Sequence, residues 1–281
     1  MDLQNVHNEV KQMTGREHLN EILSKYKNLK QATEYYKDLP PVPKYSTGFD
    51  LIDRALNGGI EAGVLVGIGG KADTGKTTLT VQMLENVSRG FKSAYFSWEF
   101  GVRKYVERTK RDTSINGENI LIIDEENDIE DVCKTIETLS IYGGYKFFLI
   151  DSQMRVQNKS ISGNVTEKTD DVFSKLSAIA TKLEIVIFII VQTSLTDHRQ
   201  GEPSVRNSVN AQHELSIFMF LEKKEDNSQK VKLRFIKMKQ VGDRKPLELE
   251  KSGNENLFNT KCFECETVVY GEKPISFARI A

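Results

Sequence analysis

The stretch that most constrains this chain is Gly70-Lys71-Ala72-Asp73-Thr74-Gly75-Lys76-Thr77, which fits the pattern G-x-x-x-x-G-K-[ST] at every fixed position. Residues 63–68 before it form a short apolar run that reads as a buried strand, and residues 78–84 after it carry apolar side chains at helical spacing. A strand, a glycine-rich turn and a helix start, in that order, let successive N–H groups curl inward around phosphate oxygens. The positive end of the helix dipole adds to the attraction. The spacing predicts an ATP site made by Gly70, Asp73, Thr74, Gly75, Lys76, Thr77 and Thr78. Lys76 is expected to reach the β- and γ-phosphates, and the Thr77 hydroxyl to hold Mg²⁺. The bland alternative is a chance glycine-rich turn, and the flanking strand and helix argue against it.

The rest of the chain predicts an α/β fold. Residues 92–97, 121–123, 146–151 and 185–191 are apolar runs, and residues 172–183 carry a helical pattern. Continuous apolar strands alternating with helices imply a mostly parallel central sheet covered on both faces. Residues 215–221, 231–239 and 247–249 read as a C-terminal meander, antiparallel because its connections are too short for crossover helices. Residues 47–56 suggest a short helix stopped by Gly58 and Gly59, and the acidic run 124–131 a loop leading into a helix. Residues 152–169 and 193–208 are polar and read as loops. Near the N-terminus, Thr14 and Glu17 have capping-box spacing. Leu19, Ile22, Leu23, Tyr26, Leu29 and Tyr36 then outline an amphipathic helix that ends before the proline-rich stretch 39–43. The expected division is residues 1–44 for this N-terminal helix and linker, and 45–281 for the ATPase domain. The apolar stripe of that helix either packs on its own domain or docks on a neighbouring subunit.

Composition narrows the partners. A net charge of −1 over 281 residues excludes wholesale electrostatic coating of nucleic acid, so any such contact must come from local basic loops. No apolar run is long enough to span a bilayer, and no signal-peptide pattern opens the chain. Three cysteines suggest a reducing compartment, and the expected location is cytoplasmic. Cys262 and Cys265 have zinc-ligand spacing but no second pair, and a terminal hairpin with two thiols is the better reading.

Three polar residues end apolar strands. Asp151 follows one about 75 residues after Lys76, which suits a Walker B carboxylate ordering the Mg²⁺ shell, the alternative being a turn cap. Glu99 ends the strand after the P-loop helix. If that strand lies beside the P-loop strand, the carboxylate faces the γ-phosphate and can orient the attacking water; otherwise it is a surface glutamate. Gln192 ends the strand beyond Asp151 and can touch both the γ-phosphate and the following loop, or make only local hydrogen bonds.

These residues carry a family resemblance. Residues 46–53, 96–100, 149–151 and 191–192 resemble, in order, the motifs of the RecA-type ATPase fold, and within it the C-terminal motor domain of DnaB-like replicative helicases. Residues 205–216 and 235–242 resemble two further motifs of that motor, with departures at Val209, Asn210 and Gln212. The resemblance implies a homo-oligomer, expected as a hexameric ring with ATP at subunit interfaces. It implies that Lys237 and Lys239 reach a neighbour's site to stabilise charge on the phosphoryl group. Lys239 stands where the family has an arginine, and a lysine lacks the planar two-pronged contact. The loops after Asp151 and Gln192 would hold single-stranded DNA through Arg155, Lys159 and Lys168 in the first and His198, Arg199 and Arg206 in the second. The expected function is Mg²⁺-dependent ATP hydrolysis coupled to single-stranded DNA binding or translocation, by a helicase motor without the family's N-terminal collar, with replication proteins as possible partners. A RadA- or RecA-type recombination ATPase without unwinding, or a nucleotide-gated oligomeric scaffold, are the alternatives.

Overall fold

In the computed structural model the P-loop strand lies inside an eight-stranded sheet. The structure describes residues 17, 18, 20, 40–99, 101–109, 117–194, 203–208, 210–224, 227–252 and 257–260. Two compact units divide the chain, Met1–Val42 and Pro43–Ala281. In the first, Glu17, His18 and Asn20 are helical. The apolar stripe from Leu19 to Tyr36 falls outside the described residues, as do His198, Arg199, Cys262 and Cys265.

The second unit runs β1 (Lys44–Tyr45), α1 (Asp50–Ala55), β2 (Ile60–Glu61), β3 (Val64–Gly70), α2 (Lys76–Val87), β4 (Lys92–Ser97), α3 (Val102–Thr109), β5 (Ile120–Ile123), α4 (Ile129–Gly143), β6 (Tyr145–Asp151), α5 (Val165–Leu183), β7 (Val186–Ile190), α6 (Ala211–Glu214), β8 (Ile217–Lys224), β9 (Asn227–Met238) and β10 (Leu247–Glu250). The large sheet has the order β10-β9-β8-β3-β7-β6-β4-β5. The strands from β8 to β5 are mutually parallel, and β9 and β10 add antiparallel at one edge. This matches the expected parallel sheet with a C-terminal meander, and the reason is visible in β7, whose five residues are all buried.

Alternate residues of the strands feed two apolar cores, one per face. Val66, Ile68, Tyr95, Phe147 and Phe188 join the core that contains α2. Leu65, Phe96, Phe148, Ile187 and Ile189 join the core beneath α4 and α5. Each such side chain contributes about 1.5–3 kcal/mol when fully buried. On α4, Ile129, Val132, Ile136 and Ser140 are buried, a spacing that keeps one face inward. Its start is the predicted acidic one, with the Asp128 side chain accepting from the Glu130 N–H.

One reading of the sequence needs correction, and one condition it set is not met. Residues 152–169 are not all loop, because α5 starts at Val165. Asn164 Oδ1 accepts from the Glu167 N–H at 3.0 Å and Glu167 Oε2 accepts from the Asn164 N–H at 3.0 Å, a capping box that fixes the start. Lys168 therefore sits on the first turn of a helix rather than in a loop. The unmet condition is the one set for Glu99. β4 pairs with β6 and β5, not with the P-loop strand, and both β7 and β6 stand between it and β3. Helix α3 had no sequence expectation; it is held by Tyr105, whose ring meets the Tyr95 ring edge-on at 5.9 Å.

Candidate active site

Strand register lines up the chemistry. Ile68 pairs with Ile190, Ile150 with Ile189, and Ser97 with Asp151. The segments that leave β3, β7, β6 and β4 thus begin along one edge, the carboxyl ends of parallel strands, where open α/β sheets bind ligands.

At β3 the backbone turns sharply. Gly75 has φ +94°, a left-handed conformation that a side chain would strain. Its neighbour Lys76 opens α2 and donates from Nζ to the carbonyl oxygens of Gly70 at 3.1 Å and Lys71 at 2.9 Å. The ammonium is thereby held across the mouth of the turn. Burial lowers its pKa, opposed by the charges of Asp151, Glu99 and Asp73. Thr74 is fully buried and its hydroxyl donates to the Lys71 carbonyl at 2.9 Å, bracing the turn from inside.

Asp151 has no exposed surface. One carboxylate oxygen, Oδ2, accepts from the Tyr95 hydroxyl at 3.1 Å, and the other, Oδ1, is buried with no hydrogen-bond donor among the described residues. Burial first and the Glu99 charge second push its pKa up to about 6, while Tyr95, Thr77 and Lys76 pull it down. A buried carboxylate oxygen without a protein donor, beside a threonine hydroxyl, is a set of hard oxygens that fits Mg²⁺. The turn-cap alternative would leave that oxygen satisfied by backbone, and it is not.

Glu99 reaches this region despite the strand order. The Ser152 hydroxyl donates to Glu99 Oε1 at 2.6 Å, and Arg155 Nε lies 3.6 Å from the same oxygen. The premise that β4 adjoins the P-loop strand fails. Adjacency to β6 does the same work, because it sets Glu99 beside the residues just after Asp151.

The two polar loops meet. The Gln192 backbone N–H donates to Gln153 Oε1 at 3.4 Å, and Gln153 Nε2 donates to the Arg206 carbonyl at 3.2 Å. The Arg206 N–H returns to the Gln192 carbonyl at 2.7 Å, closing the base of the second loop. Lys159 and Lys168 line a cleft of about 340 Å³ together with Gln153, Met154 and Asn207. Arg155 stands apart from that cleft, engaged with Glu99.

Within one chain Lys237 and Lys239 are not brought to the site: Lys237 pairs with Phe218, which faces Gly67, and the Lys239 N–H donates to the Ser216 carbonyl at 2.8 Å, toward the amino ends of the parallel strands. Lys237 Nζ donates to the carbonyls of Gln212 and His213, and Lys239 Nζ to the His213 carbonyl at 3.2 Å. Within one chain they cap the carboxyl end of α6, two strands away from β3. Nothing in the sequence singled out Ser152, Gln153 or Tyr95. Their roles depend on which strand lies next to which.

Among the described residues no helix is long and apolar enough to cross a membrane. Among them, too, no group of three or more His, Cys, Asp or Glu side chains is placed to hold a metal ion.

No protein-family model matches the chain. A stretch of 92 residues, 33% of the chain, is 38% identical to the DNA repair protein RadA of Aquifex aeolicus and covers 20% of that protein. The chain matches about a fifth to a quarter of the length of this and the next two RadA relatives. Among solved structures, a DnaB-like replicative helicase described with its primase interactions superposes with a TM-score of 0.68 at 18% identity, over 91% of this chain and 73% of that one. The ATPase domain of G40P superposes with a TM-score of 0.66 at 18% identity, over 86% of this chain and 97% of that one. The parallel sheet, the P-loop motif at its strand-to-helix turn and these superpositions agree: the chain has a RecA-like α/β fold, the one shared by the G40P ATPase domain and the DnaB-like replicative helicase.

Proposed function

We propose that this chain hydrolyses ATP with Mg²⁺ and couples the reaction to single-stranded DNA held by the loops after β6 and β7. The observation that carries the reading is the buried, donorless oxygen of Asp151 next to Thr77 and Lys76. Thr77 and Asp151 would hold Mg²⁺, which when bound offsets charge on the phosphoryl group. Lys76 moves from the Gly70 and Lys71 carbonyls to the β- and γ-phosphates, exchanging neutral acceptors for charged ones. The helix start at Gly75 supplies backbone N–H groups. Glu99 accepts a hydrogen bond from the attacking water and orients it.

Gln192 carries the nucleotide's state outward. It bonds Gln153 and Arg206, so a shift at its strand end moves both loops together. Lys159, Lys168, Arg199 and Arg206 would meet the DNA backbone, and Arg155 joins them when it leaves Glu99. A hexameric ring would bring Lys237 and Lys239 of one subunit to the next subunit's nucleotide. Replication proteins are then the natural partners.

The RadA matches favour a second reading, a recombination ATPase that remodels strands without unwinding. A scaffold gated by nucleotide is the third. A strand-displacement assay on a forked duplex separates the helicase from both others. Stimulation of ATP turnover by single-stranded DNA separates the recombination ATPase from the scaffold. Retained turnover in Lys76→Ala removes all three.

A further inference from the structure

After β10, residues 250–252 and 257–259 pair as the two arms of a hairpin and lie against the P-loop. The Asn259 N–H donates to the Glu250 carbonyl at 2.8 Å, the Ser252 N–H to the Leu257 carbonyl at 2.7 Å, and Lys251 bridges to Phe258. Gln82 on α2 clamps this hairpin with both ends of its amide. Its Nε2 donates to the Phe258 carbonyl at 3.1 Å, and its Oε1 accepts from the Phe258 N–H at 2.9 Å. The clamp sets the hairpin's side chains beside the first turn of α2. A Cβ added to Gly75 would lie 2.9 Å from the Phe258 ring and 3.0 Å from Lys251 Nζ.

Lys251 is unusual for a lysine in being only 9% exposed. A snorkelling lysine buries its stem and keeps its head in water. Its Nζ lies over the Phe258 ring, 5.1 Å from the centroid. Among the described residues no carboxylate or carbonyl accepts a hydrogen bond from it. Burial lowers its pKa, the Lys223 charge adds to this, and the Asp73 charge opposes it. A lysine side chain this buried with no acceptor gives up much of its hydration, and a ring face returns only part of it. The nearest features are the last glycine of the P-loop and the start of α2, where anions bind.

We propose that Lys251 is a second phosphate-binding cation of this site, taking its anion from the polyphosphate chain of a nucleoside triphosphate. The proposal rests on the nucleotide reading above. Lys76 covers the first residues of the loop and Lys251 its last, so the two ammonium groups grip the chain of phosphates from different ends of the turn.

The test is titration of a fluorescent ATP analogue and of adenosine into the full chain, comparing Lys251→Met and Lys251→Arg with the parent. Methionine keeps the packing over Phe258 and loses the charge. The expected result is about a tenfold loss of triphosphate affinity in Lys251→Met, with adenosine affinity and Lys251→Arg both staying within about threefold. Unchanged triphosphate affinity in Lys251→Met overturns the proposal, as does an equal loss for adenosine, which would mean packing alone. Should the variant not fold, the parent solved with a non-hydrolysable analogue decides. An Nζ within about 3.5 Å of a phosphate oxygen supports the proposal, and one beyond about 5 Å overturns it. Retained triphosphate binding in Lys76→Ala would instead count against the nucleotide reading itself.

Discussion

At the end of β3 the phosphate grip is one uninterrupted run, Gly70 to Thr77, braced by bonds that span six residues or fewer. At the ends of β6 and β7 the loop face is assembled from residues far apart, with Gln153 bonding Gln192 across 39 residues and Arg206 across 53. The first region depends on backbone conformations available locally, above all the left-handed Gly75. The second exists only because the sheet places β7 between β3 and β6. A change to the first should abolish the chemistry outright. A change to the second should leave the chemistry and damage its coupling.

The sharpest break in that comparison comes from Glu99→Gln, which keeps shape and removes the base. Turnover in a phosphate-release assay is expected to fall by about 10²–10⁴, with triphosphate affinity retained. Unchanged turnover would return Glu99 to the status of a surface residue held by Ser152. Next in size, Lys76→Ala should weaken triphosphate binding about a hundredfold by equilibrium titration, the worth of charge-assisted bonds to phosphate.

Asp151 makes the grip sensitive to pH. Its folded pKa of about 6 lies above the ordinary 3.8, so the folded chain holds this proton more tightly than the unfolded one. The resulting stability is fully present below about pH 4 and is lost as pH rises through 6, on the order of 3 kcal/mol. Chemical denaturation of the nucleotide-free protein from pH 4 to 7 should show this loss, and Asp151→Asn should remove it. Binding of Mg²⁺ with nucleotide should strengthen over the same interval, since it needs the ionised carboxylate. A flat comparison between parent and variant would detach the carboxylate from the metal role.

The smallest effect sharpens the contrast most. Gln153→Ala cuts the amide that ties the first loop to Gln192 and Arg206 of the second, and should lower DNA stimulation of turnover about fivefold. Triphosphate affinity should stay within about twofold of the parent. An equal loss in both would mean the two regions are one cooperative unit.

Much of this architecture was legible before any coordinates. The apolar runs at 92–97 and 185–191 announced parallel strands because burial on both faces leaves no polar alternation. Thr77, Asp151 and Glu99 stood out because each followed an expected turn or strand end. Two features stayed hidden for a clear physical reason. The start of α5 was hidden by polar residues around Asn164, whose cap is a side-chain effect that apolar periodicity does not register. The neighbour of β4 stayed open because pairing order in a sheet need not follow order along the chain.

From the linear chain alone came the phosphate turn, the alternation of strands and helices, and the polar residues poised at strand ends. Those follow from short-range geometry and from which side chains avoid water. The tertiary structure alone decided that Glu99 meets Ser152, that Gln153 joins the first loop to Gln192 and Arg206, and that Lys251 is buried against Gly75. Such contacts depend on how separate elements pack, and that free energy is shared across the whole sheet rather than carried by any one segment.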